Sequence, residues 1–170
     1  MKNMLIAGMG NVLRRDDGFG VEIAKRLMAE NHFPSNVKII EVGIGGIHLV
    51  QELMHGYDAL IVVDALERGS APGTLHVLEA NVPNLKEWDA DTRGDFLADM
   101  HYTTPGKAMI LSKALDVLPP CVYLVGVQPL DASELGIGLS EPVARAIPQT
   151  LRAVERIVQQ IEWQEHVYEQ

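Results

Sequence analysis

The run Ala59-Leu-Ile-Val-Val63 is apolar at every position and stops at Asp64. A strand with one wet face alternates polar and apolar residues, so a run with no polar position belongs to a strand covered on both faces, as inside a parallel sheet. Parallel neighbours cannot be joined by a tight turn, and each pair needs a crossover, usually a helix. The rest of the chain supplies them. Met4-Leu-Ile-Ala-Gly-Met9 reads as a buried strand, and from Asp17 onward Val21, Ala24, Leu27 and Met28 recur at helical spacing. Val37-Lys-Ile-Ile-Glu-Val42 is a second strand, followed by a short amphipathic helix over Ile47, Val50, Leu53 and Met54 that Gly56 ends. Beyond Asp64, Pro72-Gly73 marks a turn into a fourth, edge-type strand over residues 74–78. Residues 81–104, with Pro83 and the acids Glu87, Asp89, Asp91, Asp95 and Asp99, predict a long mobile loop. Pro105 opens a helix that continues through Leu115, Pro119-Pro120 ends it, and Cys121-Val-Tyr-Leu-Val-Gly-Val127 is a fifth strand. Ser140 is placed to cap a final helix striped by Val143, Ile147, Leu151, Val154 and Val158 and kinked at Pro148. Strands alternating with helices predict an α/β fold, a three-layer α/β/α sandwich around a mostly parallel sheet.

That layout also predicts where a ligand binds. Open α/β sheets take ligands beyond the carboxyl ends of their strands, at the point where strand order reverses. With the first and third strands adjacent and the second outside the first, residues 10–20 and 64–67 flank that point. The chain's 170 residues fit a single domain spanning 1–170. Lys and Arg number 14 against 23 Asp and Glu, and the resulting net charge of -9 excludes a nucleic-acid surface, which needs cations to displace counterions. A single Cys excludes a disulfide framework. Gly10, Asn11, Arg14 and Arg15 interrupt the first apolar stretch, and no later run approaches the roughly 20 residues that cross a bilayer. The expectation is a cytoplasmic protein without membrane insertion.

Most chemical motifs fail on inspection. Gly8-Met-Gly10 opens like a dinucleotide-binding turn, but Leu13 takes the third glycine position, and Asp16 and Asp17 stand where a pyrophosphate would lie. Lys107 lacks the upstream glycine and the following Ser or Thr of a phosphate-binding loop. Neither G-x-S-x-G nor H-E-x-x-H occurs. Arg93 and Met100 fill ligand positions of a would-be calcium loop beginning at Asp89. Cys121 reads as packing, and His48, Glu52 and His55 read as the solvated face of a helix whose apolar stripe is Ile47, Val50 and Met54. His32, His76 and His166 have no comparable partners. Asp17, Asp64 and His101 differ. The predicted topology brings both acids to one crevice, where like charges oppose each other's ionisation and a cation would relieve them. His101 lies in an acidic segment long enough to add an imidazole there. Spacing alone leaves two readings open. One is a metal site; in the other Asp16 caps a helix, Asp17 favours its dipole, Asp64 ends a strand and His101 is solvated.

The segment Gly8-Met-Gly-Asn-Val-Leu-Arg-Arg-Asp-Asp-Gly-Phe-Gly20 resembles the N-terminal signature of the nickel-iron hydrogenase maturation endopeptidases. The likeness continues through Glu41-Val-Gly-Ile-Gly-Gly46, Val63-Asp64-Ala65, His101, Leu124-Val-Gly-Val127 and Gly136-Ile-Gly-Leu-Ser140. It implies a five-stranded mixed sheet with one antiparallel strand. It also implies a metal-assisted aspartic endopeptidase that removes the C-terminal extension of a nickel-loaded hydrogenase large-subunit precursor. In that resemblance Asp17, the second of the acidic pair, together with Asp64 and His101, makes the catalytic and metal-contacting set. The nickel arrives in the substrate instead of being held permanently, and Gly43, Gly45 and Gly46 bind substrate. The glycine-rich segment departs from the family's D-G-G-T-x-G pattern, carrying Glu41, Val42 and Ile44 and no hydroxyl. A non-enzymatic nickel-binding assembly factor would use the same three ligands, and a nucleotide-binding α/β enzyme is the remaining alternative.

Overall fold

Five strands, β1 (Met4–Met9), β2 (Val37–Gly43), β3 (Ala59–Ala65), β4 (Leu75–Glu79) and β5 (Cys121–Val127), form one sheet in the order β2-β1-β3-β5-β4. All pairings are parallel except that of β4 with β5, which is antiparallel. This is a computed structural model, and it describes residues 1–30, 32–98 and 104–168. The helices are α1 (Phe19–Glu30), α2 (Gly46–Leu53), α3 (Ala90–Ala98), α4 (Pro105–Ala114), α5 (Glu141–Arg145) and α6 (Ile147–Tyr168).

Strand alternation sorts the helices into layers. Met4 and Ile6 of β1 and Ile61 and Val63 of β3 face one core with Phe19, Ile23 and Leu27 of α1 and Val154 and Ile161 of α6. Leu5, Ala7, Leu60 and Val62 face the other, with Leu49 and Leu53 of α2 and Ala108 and Met109 of α4. β3 is fully buried from Ala59 to Val63 and nearly so at Asp64, because the sheet's middle strand has helices over both faces and a neighbour on each side. No helix among the described residues is long and apolar enough to cross a membrane.

Several local expectations change. Residues 81–104 do not form one continuous loop: a 3-10 turn at Leu85–Glu87 precedes α3. Asp89 starts α3 by accepting the Thr92 N–H at 2.9 Å and the Thr92 hydroxyl at 2.7 Å, and Trp88 packs edge-on against Phe96. The last helix is not one kinked rod but two, α5 and α6. Pro148 has no N–H to continue the ladder, so the break falls at Ala146. Ser140 makes no side-chain cap, because its hydroxyl is committed to Asp16. In α2 the buried stripe is Leu49, Val50 and Leu53, while Ile47 and Met54 are exposed.

The start of α1 sits directly on the sheet. A Cβ on Gly20 would lie 2.0 Å from the Val63 carbonyl oxygen and 2.4 Å from that of Met9, and one on Gly8 would lie 2.3 Å from the Gly20 carbonyl oxygen. These are backbone atoms of β3, β1 and α1, and none can retreat without moving its element. Gly20→Ala is therefore expected to cost at least about 3 kcal/mol in denaturant unfolding, the upper end of overpacking penalties. An unchanged unfolding midpoint would show that α1 can lift away freely.

Candidate functional site

The adjacency of β1 and β3 puts two loops together at the sheet's carboxyl edge. The first leaves β1 through Gly10, whose φ of 118° is a left-handed conformation suited to glycine. A 3-10 turn at Arg15–Gly18 then leads into α1. A Cβ on Gly10 would lie 1.8 Å from the Asp17 carbonyl oxygen and 3.3 Å from Asp64 Oδ1, so this glycine lets the two acidic segments close on each other. Asp17 is half-buried, and its Oδ2 accepts the Asn11 N–H at 3.0 Å.

Asp64 ends the all-apolar stretch of β3 and is only 8% exposed. Its Oδ1 accepts the Ala65 N–H at 2.8 Å, and no cationic side chain pairs with it among the described residues. Burial pushes its carboxyl up to about 7; the Ala65 N–H opposes that rise and the charge of Asp17 adds to it. A carboxyl that titrates there is about half ionised at neutral pH, and an approaching cation favours its charged form.

The two acids of the pair have opposite environments. Asp16 is fully buried, and its carboxylate accepts the N–H groups of Leu130, Asp131 and Ser140 and the Ser140 hydroxyl, at 2.7 to 3.1 Å. It therefore caps no helix. It ties the 10–17 loop to the 130–140 segment and leaves Asp17 as the acid that faces the crevice with Asp64. Sequence reasoning missed this role of Asp16, and the only trace of it was the Gly136 to Ser140 block. Buried Gln128 does similar work for the loop after β3, accepting the N–H groups of Arg68 at 2.7 Å and Ser70 at 3.2 Å.

Gly43, with φ of 62°, ends β2 opposite Met9, and its carbonyl accepts the Gly10 N–H at 3.0 Å. Gly45 precedes α2 and Gly46 begins it, so the glycine-rich segment lies beside the Gly10 loop. His101 lies outside the described residues. The chain resumes at Thr104, whose hydroxyl accepts the Lys107 N–H at the start of α4. Since α4 descends to the amino end of β5, it begins at the carboxyl edge, on the face that Leu60 and Val62 share and toward which the alternation of β3 directs Asp64.

Other polar clusters stay apart from this crevice. Glu52 accepts from Lys38 Nζ at 2.7 Å and from the Tyr57 hydroxyl, and these partners hold it below the usual carboxylate range. Glu52, Lys38, Tyr57 and His55 thus form a surface network, while the His48 ring stands beside Gly45, 3.5 Å from where a Cβ there would lie. Contrary to the expectation for it, His32 lies between Glu155 at 3.1 Å and Glu30 at 3.6 Å, whereas His76 Nε2 meets only the Ser70 hydroxyl, at 3.1 Å, among the described residues. Burial pushes the half-buried Cys121 thiol up, away from reactivity.

Known proteins share this architecture and sequence. The family model described as hydrogenase maturation protease, HycI, matches residues 21–160, a span that begins just after Asp17. The hydrogenase expression/formation protein HoxM of Azotobacter vinelandii is 35% identical over 151 residues, covering 88% of this chain and 69% of that protein. The delta subunit of coenzyme F420 hydrogenase from Methanothermobacter thermautotrophicus is 35% identical over 169 residues, 93% of this chain and 94% of that one. Among solved structures, the hydrogenase maturating endopeptidase HybD from E. coli superposes with a TM-score of 0.75 at 28% identity, covering 94% and 93% of the two chains.

Proposed function

The chain belongs to the hydrogenase maturation proteases, and on that premise we propose that it is a nickel-dependent endopeptidase that cuts the C-terminal extension from a hydrogenase large-subunit precursor. Asp17, Asp64 and His101 meet the nickel that the precursor carries. The observation that carries this reading is a nearly buried Asp64 beside a second acid at the strand-order reversal, with no cation to pair it among the described residues. Such a pair favours an incoming cation, because the metal removes both the desolvation penalty and the repulsion. Two carboxylates and an imidazole form an oxygen and nitrogen donor set that suits Ni²⁺ and leaves positions open for substrate ligands. The entry of the chain into α4 at the carboxyl edge supports His101 as the third donor.

Nickel is substrate cargo in this scheme, so the site tests for it before cutting. A metal-free precursor presents no ion to draw the acids together and is not held in register. Gly43, Gly45 and Gly46 bear no side chains where the precursor backbone passes the Gly10 loop, which permits close approach. A cytoplasmic setting fits the single unpaired Cys121.

The test is incubation of catalytic amounts of the protein with nickel-loaded precursor and with metal-free precursor, following the released peptide by mass. Cleavage of the loaded form alone is expected. Equal cleavage of both would remove the nickel requirement, and binding without turnover would make the protein an assembly factor.

A further inference from the structure

We propose that residues 135–137 form a docking edge on which an extended, apolar segment of the precursor adds as a strand, an inference that rests on the protease reading above. Arg14 and Gly136 pair as an isolated parallel bridge. Arg15 N–H donates to the Gly136 carbonyl at 2.8 Å, and Gly136 N–H donates to the Leu13 carbonyl at 2.9 Å. When one residue of an extended segment spends both backbone groups on one side, its neighbours direct theirs to the other. Neither Leu135 nor Ile137 makes a backbone hydrogen bond among the described residues. Their side chains stand in water, at 78% and 87% exposed. An unpaired backbone edge lined by exposed apolar residues is a template for another chain.

Its position names the occupant. Through Leu13 and Arg15 the edge is bonded to the segment that ends in Asp16 and Asp17, and Asp16 grips Leu130, Asp131 and Ser140 on either side of it. Val12 and Leu13, both exposed, continue the apolar surface towards the crevice, and exposed Ile44 stands on the glycine-rich segment bonded to Gly10. The edge is therefore tied to the proposed active site through the residue 10–17 loop, which the glycine-rich segment joins at Gly10. A chain delivering a scissile bond to Asp17 and Asp64 passes along it, whereas the outer edge of β4 is separated from β3 by β5.

Ile137→Pro deletes the outward N–H and leaves both Gly136 bonds, while Ile137→Ser removes only the apolar side chain. With nickel-loaded precursor as probe, each is expected to raise KM about tenfold, as for a residue central to an interface, with kcat within about twofold. Leu115→Ser, at an exposed apolar residue away from the site, should leave both constants alone. In the wild-type complex the amides of residues 135 and 137 should gain protection from hydrogen exchange. Wild-type KM in both Ile137 variants, with no amide protection, overturns the docking edge and leaves the protease reading standing. A dimer dissolved by the same substitutions at unchanged KM assigns the edge to a second copy and also overturns it. Failure of the wild-type protein to cut any precursor overturns the protease reading, and the docking edge with it.

Discussion

Asp64→Asn is expected to abolish precursor processing while making the metal-free protein more stable at pH 8. The replacement keeps the shape and the oxygen that accepts the Ala65 N–H but removes the charge. Loss of the proposed nickel contact should lower processing by more than about a hundredfold, the upper range for partners that only orient a metal ligand. The stability effect has the opposite sign. Asp64 titrates at about 7 in the folded protein against an ordinary 3.8, so between those values the native state holds a proton that the unfolded chain has released. The contribution of Asp64 to stability therefore falls as pH rises from about 4 to about 7, and its full penalty persists above that. A shift of this size has a ceiling near 4 kcal/mol, and with relaxation about 2 to 4 kcal/mol is expected, or roughly 5 to 10 °C in Tm for a domain of this size. Thermal melts across pH 4 to 8 check it: the variant's advantage should vanish at the acid end. A variant less stable than wild type at pH 8 would show that the buried carboxyl is not strained, and retained processing would remove Asp64 from the site.

The same residue shows why so much of the fold could be read from sequence. A short, β-branched apolar run ending in an acid suits a central parallel strand delivering a carboxylate to the sheet's carboxyl edge, and β3 is that strand. Where the reading failed, a distant partner made the decision. Apolar residues at 47, 49, 50, 53 and 54 span an arc of about 160°, wider than the buried stripe, and packing on the sheet and α4, not periodicity, turned Leu49 inward and Ile47 outward. The acidic residues around α3 look like loop composition until Asp89 turns back onto Thr92 and Trp88 meets Phe96. His101 stays an expectation, because it lies outside the described residues. Asp16 and Asp17 are identical in type and adjacent, and only donors more than a hundred residues away separate them.

That separation can be measured. Asp16→Asn should be among the most destabilising polar changes in the chain, at about 3 to 5 kcal/mol, because a buried acceptor that satisfies several donors is replaced by one that is half donor. Oδ2 accepts from Leu130 N–H, Asp131 N–H and the Ser140 hydroxyl, and Oδ1 accepts from Ser140 N–H. Either orientation of an Asn amide turns an NH₂ group towards at least one of these backbone N–H groups, inside a site that water does not reach. Ser140→Ala removes one hydroxyl donor and leaves the rest satisfied, so about 1 kcal/mol is expected. Asp17→Asn touches a half-buried carboxylate with one backbone donor; it should fold with near-wild-type stability and fail in processing. Urea unfolding at neutral pH of the three variants, run beside the precursor assay, separates the roles. If Asp17→Asn proved the unstable variant and Asp16→Asn the stable, inactive one, the inward and outward members of the pair would be exchanged, and the proposed nickel contact would move from Asp17 to Asp16.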